Sequence, residues 1–152
     1  MNIFSPLNSE PQPSLQQIEI ATFFQLPSFH LIGLPSPEVA EAKERVRSAV
    51  EASGFEFPKR KVVINLSPAS IRKRGVGIDL AIALAVLNGA PNQEQPSRKR
   101  IAAWGELGLD GRVKPAGQLT RSVFAAWKGG MSDILVSAEE LESRGYPKSE
   151  HD

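Results

Sequence analysis

Leu80 to Leu87 is eight consecutive residues without a polar side chain. Asp79 stands before the run and Asn88-Gly89 ends it, which reads as a helix with a carboxylate at its cap and a glycine stop. A helix that is apolar all round has no wet face, so other elements must enclose it. The run is far short of the roughly 20 residues that cross a bilayer, and no basic-then-apolar signal peptide stands at Met1.

The residues before the run supply an enclosure. Ser36-Pro37-Glu38 is a helix start, with Ser36 placed to cap and Pro37 suited to the first helical position. Val39, Ala42, Val46, Ala49 and Val50 follow at helical spacing, with Glu41 and Arg45, and Glu44 and Arg47, as ion pairs on the wet side. Gly54 ends this helix. Val62-Val63-Ile64-Asn65-Leu66 then reads as a strand buried on both faces. Ser67 to Ile78 is a loop that carries Arg72-Lys73-Arg74 and Gly75-Val76-Gly77.

On either side the signals are shorter. Residues 1–15 hold Pro6, Pro11 and Pro13 among Asn, Ser and Gln, and are expected to be a flexible leader or at most a strand-edge arm. Gln16 to Thr22 alternates as a half-exposed strand, and Phe29 to Ile32 is a second, with His30 turned away from Phe29 and Leu31. Ala90 to Arg100 reads as an exposed loop. Asp110-Gly111 marks a hairpin between Ile101–Leu107 and the strand that starts at Val113. A helix is expected from about Gln118, with Leu119, Val123, Ala126 and Trp127 on its buried face, ended by Gly129-Gly130. Asp133 to Val136 is a last short strand, and Ala138 to Arg144 one or two helical turns. The expected organisation is one α/β domain over 16–145, followed by a tail at 146–152. At 152 residues the chain can bury a core without staples. It has no cysteine, which excludes disulfides and thiolate chemistry and fits a reducing cytoplasm. Its two histidines, His30 and His151, build no metal cluster.

Five segments resemble, in order and spacing, the N-terminal domain of the magnesium-chelatase-like ComM/YifB AAA+ proteins: Ile32-Gly33-Leu34-Pro35, Glu41 to Arg47, Ser53 to Pro58, Val63 to Ala69 and Ile78 to Leu84. The run Gly105 to Val113 is similar to the corresponding hairpin of both the ComM-like and the Lon domains. The resemblance covers roughly residues 16 to 140. It implies the fold shared by the Lon protease domain and the GHMP kinases, a mixed sheet packed with about three helices. The family begins with a longer strand-forming segment that has no counterpart in residues 1–15, so part of the first sheet is expected to be missing or replaced. The family domain also runs on into an ATPase, so the ending at Tyr146-Pro147-Lys148 reads as either a fragment end or a stand-alone domain.

Three chemistries can be weighed. No Gly-x-x-x-x-Gly-Lys-Ser/Thr occurs, so the family's ATPase is not in these residues. Gly75 and Gly77, beside Arg72, Lys73 and Arg74, could offer backbone N–H groups to a phosphate or simply form a tight turn. A Lon-type hydrolase needs a serine and a lysine base. The resemblance places Gly75 where that serine would be and Thr120 where the lysine would be, with Ser67, Ser70, Lys73 and Lys114 as imaginable substitutes. Finally, Lys59-Arg60-Lys61 and Arg98-Lys99-Arg100 both precede strands. If these run parallel, six positive charges gather at one end of the sheet, with Arg72-Lys73-Arg74 at the other, a set that could neutralise DNA phosphates or only keep strand edges soluble. No aromatic is interleaved with the triplets. Taken together these residues indicate a non-catalytic interaction or regulatory domain with no cofactor. Its expected partner is an AAA+ ATPase, its own copies or DNA; a degenerate hydrolase and a small DNA-binding module are the alternatives.

Overall fold

A computed structural model describes residues 1–8, 11–89 and 99–145. Its strands are β1 (Asn2–Leu7), β2 (Ser14–Phe23), β3 (Ser28–Ile32), β4 (Lys61–Ser67), β5 (Arg100–Trp104), β6 (Glu106–Leu107), β7 (Val113–Lys114) and β8 (Asp133–Val136). Its helices are α1 (Pro37–Ala40), α2 (Ala42–Ala52), α3 (Asp79–Asn88), α4 (Leu119–Lys128) and α5 (Ala138–Ser143), with a 3-10 turn over Val76–Ile78. Six strands make one mixed sheet in the order β3-β4-β2-β1-β5-β8. β2 is antiparallel to β1 and β4, while β3 and β4, β1 and β5, and β5 and β8 pair in parallel.

The apolar run is enclosed as its composition requires. α3 packs against α2, β1, β2 and β5, and its core neighbours lie on one face of the sheet. Ile3, Ile18 and Leu66 stand in register there, as do Leu31, Ile64 and Ile20. Glycine closes α2 and α4 in the same way. Gly54 and Gly130 have φ of 87° and 72°, and the next residue's N–H returns to the carbonyl of Val50 or Ala126.

Several expectations are corrected. The first residues are no leader: Asn2–Leu7 is an interior strand between β2 and β5. Pro6 is tolerated because the pairing with β5 involves only Asn2, Phe4 and Ile3, so its missing N–H falls beyond that ladder. β4 is buried on one face alone. Val62, Ile64 and Leu66 have no exposure, whereas Val63 and Asn65 are half-buried, because α4 packs mainly over β1, β2 and β8 on the other face. α4 is rotated from the expected face. Leu119, Ser122, Ala125 and Ala126 point inward, and Val123, Phe124 and Trp127 outward. Ser36 stands at the N-cap of α1 without making a side-chain cap bond. Asp79 lies inside α3 rather than capping it, since its carboxylate is taken elsewhere. Glu41 and Arg45 pair at 3.5 Å, but Arg47 lies 4.8 Å from the Phe57 ring centroid instead of meeting Glu44. The β6–β7 hairpin, β8 and α5 form where the turn and helix signals predict them.

Candidate functional site

In sheets with parallel strands, ligands favour the crevice outside the strands' carboxyl ends. Here that end holds the exits of β3, β4 and β5, the loop from Pro68 to Gly75 and the start of α3. It is filled by Trp104, which is 2% exposed. A Cβ on Gly77 would lie 2.2 Å from the indole, and one on Gly75 would lie 3.1 Å from it. Gly75 also has a φ of 91°. Both glycines therefore make room for the ring, and Gly77 is itself buried. The indole Nε1–H donates to the Gly117 carbonyl at 2.8 Å. Gly117 lies three residues before Thr120, whose hydroxyl is 3.4 Å from the Arg144 guanidinium. The tryptophan thus bridges the two segments that the Lon resemblance would ask to hold a nucleophile and a base.

Lys73 corrects the reading of its triplet as a surface charge. Its side chain has no exposure, and its ammonium donates to the Gly33 carbonyl at 2.7 Å and to the carbonyls of Pro68 and Ile71. An ammonium has three N–H groups, and all three are committed. The backbone reinforces this clasp: the Lys73 N–H donates to Leu34, and the Ser36 N–H to the Lys73 carbonyl. Burial pushes the Lys73 pKa down. Its neighbours Arg72 and Arg74 remain exposed.

A buried ion pair braces the same end. The Asp79 carboxylate, with no exposed surface, receives Arg45 Nε at 2.7 Å and Nη2 at 3.0 Å, and also the Leu107 N–H at 3.1 Å. Burial pushes the Asp79 carboxyl up, against the opposing pull of Arg45 and the Leu107 N–H. The hydrogen bond that Arg45 donates to Asp79 raises the Arg45 pKa. One pair thereby ties α2, α3 and the β6–β7 hairpin together.

Among the imagined hydrolytic substitutes, no hydrogen bond joins the Ser67 or Ser70 hydroxyl to Lys73 or Lys114. Ser67 is the last residue of β4, opposite Gln17, and Ser70 is exposed. Lys114 faces Glu106 across the hairpin at 3.8 Å. Among the described residues no group of three or more His, Cys, Asp and Glu side chains could hold a metal. None of the described helices is long and apolar enough to cross a membrane.

The other two triplets do start parallel strands, at the opposite end of the sheet. They form two separate groups, however. β4 and β5 are separated by two strands, about 14 Å across. Ile101 lies level with Ile18 through Ile3, and Lys61 with Phe23, five residues further along β2, an offset of about 17 Å. Lys59 pairs with Glu56 at 3.0 Å, and Lys99 with Asp133 at 3.3 Å. Arg98 lies outside the described residues. Aromatics do meet these cations in space. Arg60 lies 3.9 Å from the Phe24 ring centroid, Lys61 5.7 Å from Phe23 and Arg100 4.8 Å from Phe4. Phe24 and Leu26, in the loop between β2 and β3, are 86% and 88% exposed.

Sequence reasoning missed Trp104 as the occupant of this end, although Gly75 and Gly77 were its signal: two glycines two residues apart leave space for something large. Nothing in Arg72-Lys73-Arg74 distinguishes the middle cation from its neighbours.

Residues 18–140 match the family described as subunit ChlI of Mg-chelatase. The chain is 35% identical to YifB of Escherichia coli over 125 residues, 82% of this chain and 25% of that protein. It is 32% identical to the competence protein ComM of Haemophilus influenzae over 141 residues, 93% of this chain and 28% of ComM. Against the Lon protease of Brucella suis identity is 32% over 107 residues, 68% of this chain but 13% of the protease. The chain spans about a quarter of the length of YifB and ComM. With that match running from β2 to α5 around the Trp104-filled sheet end, this chain belongs to the family described as subunit ChlI of Mg-chelatase.

Proposed function

We propose that this chain is a non-catalytic docking domain that works with an AAA+ ATPase of the ComM/YifB type. The observation that carries this reading is the Trp104 indole, seated between Gly75 and Gly117 where hydrolytic chemistry would need open space. Exposed apolar side chains supply contact surface: Phe24 and Leu26 at one end of the molecule, and on α4 Trp127, 75% exposed, beside Phe124 at a ring separation of 5.9 Å. Aromatic anchors of this kind dominate protein interfaces. The test titrates this chain into E. coli YifB lacking its own matching segment and follows complex formation by sedimentation. A complex lost with Phe24→Ser/Leu26→Ser or with Phe124→Ser/Trp127→Ser is expected. No complex, together with a strict monomer, would remove the docking reading; cleavage of casein that depends on Ser67 or Ser70 would replace it with hydrolysis.

A second reading is contact with DNA, favoured by the stacking of Arg60 on Phe24 and of Arg100 on Phe4. Likeness to ComM, a competence protein by its name, extends this reading to DNA handling during natural competence. Anisotropy of a labelled oligonucleotide decides it: binding must weaken steeply with salt and fall in the Lys59→Ala/Arg60→Ala/Lys61→Ala variant.

A further inference from the structure

A cleft of about 450 Å³ opens between α4 and the β1–β2 hairpin, beside the start of β5. Phe4 and Leu15 line it from the sheet, and Ala125 and Gly129 from the end of α4. Its ionisable lining residues are Arg100 and Lys128, both cationic. Neither has a carboxylate partner among the described residues, whereas the adjacent Lys99 is engaged by Asp133. The Arg100 guanidinium lies over the Phe4 ring, and its Nη1 would be 3.7 Å from a Cβ on Gly130, so it reaches the turn that ends α4. Ser14 also lines the cleft, and its buried hydroxyl has no hydrogen-bond partner. An apolar floor with a few convergent polar groups is the usual form of a small-molecule site, and two cations with no carboxylate partner among the described residues favour an anion.

We infer that this cleft binds a small anion built on a flat apolar ring, with the ring against Phe4 and Leu15 and the charge between Arg100 and Lys128. The inference does not depend on the docking reading, because Phe24, Leu26 and Trp127 are not among the lining residues.

Phenyl phosphate is the probe, titrated into the whole chain and followed by the amide resonances of Ser14, Leu15 and Gly129. Saturable shifts are expected at these amides. Inorganic phosphate alone and phenol alone should each bind about tenfold more weakly or worse, and Arg100→Gln and Lys128→Gln should each weaken phenyl phosphate by about tenfold, the loss of one charge-assisted contact. Both side chains are exposed, so the variants should melt as the parent does. Shifts centred on Lys59 to Lys61, equal affinity in both variants, or phosphate binding as tightly as phenyl phosphate would each overturn the site.

Discussion

Where β3, β4 and β5 finish, Lys73 and Trp104 donate to backbone carbonyls, and Asp79 accepts from Arg45. Where β2 gives way to β3, Phe24 and Leu26 stand in solvent, with Arg60 stacked on Phe24 and Lys61 beside Phe23. At one end of a single sheet these three polar groups are thus turned inside, and at the other Phe24 and Leu26 are turned outside beside the cations of Lys59 to Lys61. The contrast separates stability from contact: the sealed end holds the elements together, and the open end is free to meet something else.

The largest effect should come from Arg45→Met. It strands the fully buried Asp79 carboxylate, and breaking such a pair typically costs about 3–5 kcal/mol; urea unfolding measures it, and a loss near zero would show that Asp79 finds water or a proton without strain. Lys73→Met comes next. It leaves the carbonyls of Gly33, Pro68 and Ile71 without their donor, for a loss of about 2–3 kcal/mol. If this variant were as stable as the parent, the seal would be backbone alone. Gly77→Ala drives a methyl into Trp104, and overpacking of this kind costs about 1–3 kcal/mol; the indole's emission should shift as the ring is displaced.

A smaller effect concerns pH. The folded-state pKa of Lys73 is lowered, so between that value and the ordinary lysine value of about 10.4 the unfolded chain binds more protons than the folded one. Stability in that window rises with pH. The stability gap between the parent and Lys73→Met should therefore widen from pH 7.5 toward pH 10. A gap that narrows would mean that the three carbonyls favour the ammonium more than burial opposes it. At the open end, Phe24→Ser/Leu26→Ser should change stability by no more than about 0.5 kcal/mol while removing the contact with YifB; a large loss of stability there would erase the distinction between the two ends.

Features set by local pattern could be read directly from the sequence. The wholly apolar Leu80–Leu87, the Asp110-Gly111 turn and the alternation of β2 each announce themselves within a few residues. Features decided by distant partners could not. Asn2–Leu7 carries a proline and too little apolar surface to suggest an interior strand, yet β2 and β5 supply ladders on both sides. α4 turns the small Ser122, Ala125 and Ala126 inward and ends close over the sheet, where a Cβ on Gly129 would lie 2.3 Å from the Leu15 side chain. Lys73 was hidden because a run of three cations looks alike from outside, and only the carbonyls that gather around it mark the middle one.

The interior place of β1 bears on the order in which the molecule is made. Its pairing with β2 closes over a short span, but its pairing with β5 joins Ile3 to Ile101, nearly a hundred residues later in synthesis. On the ribosome, β1 to β4 can assemble as a half-sheet while one flank of β1 stays unpaired. Such long-range closure is slow, and an open strand flank invites foreign strands. Late arrival of Arg100–Trp104 is then the step that protects the nascent protein from aggregation, and a translational pause before residue 100 should lower its soluble yield.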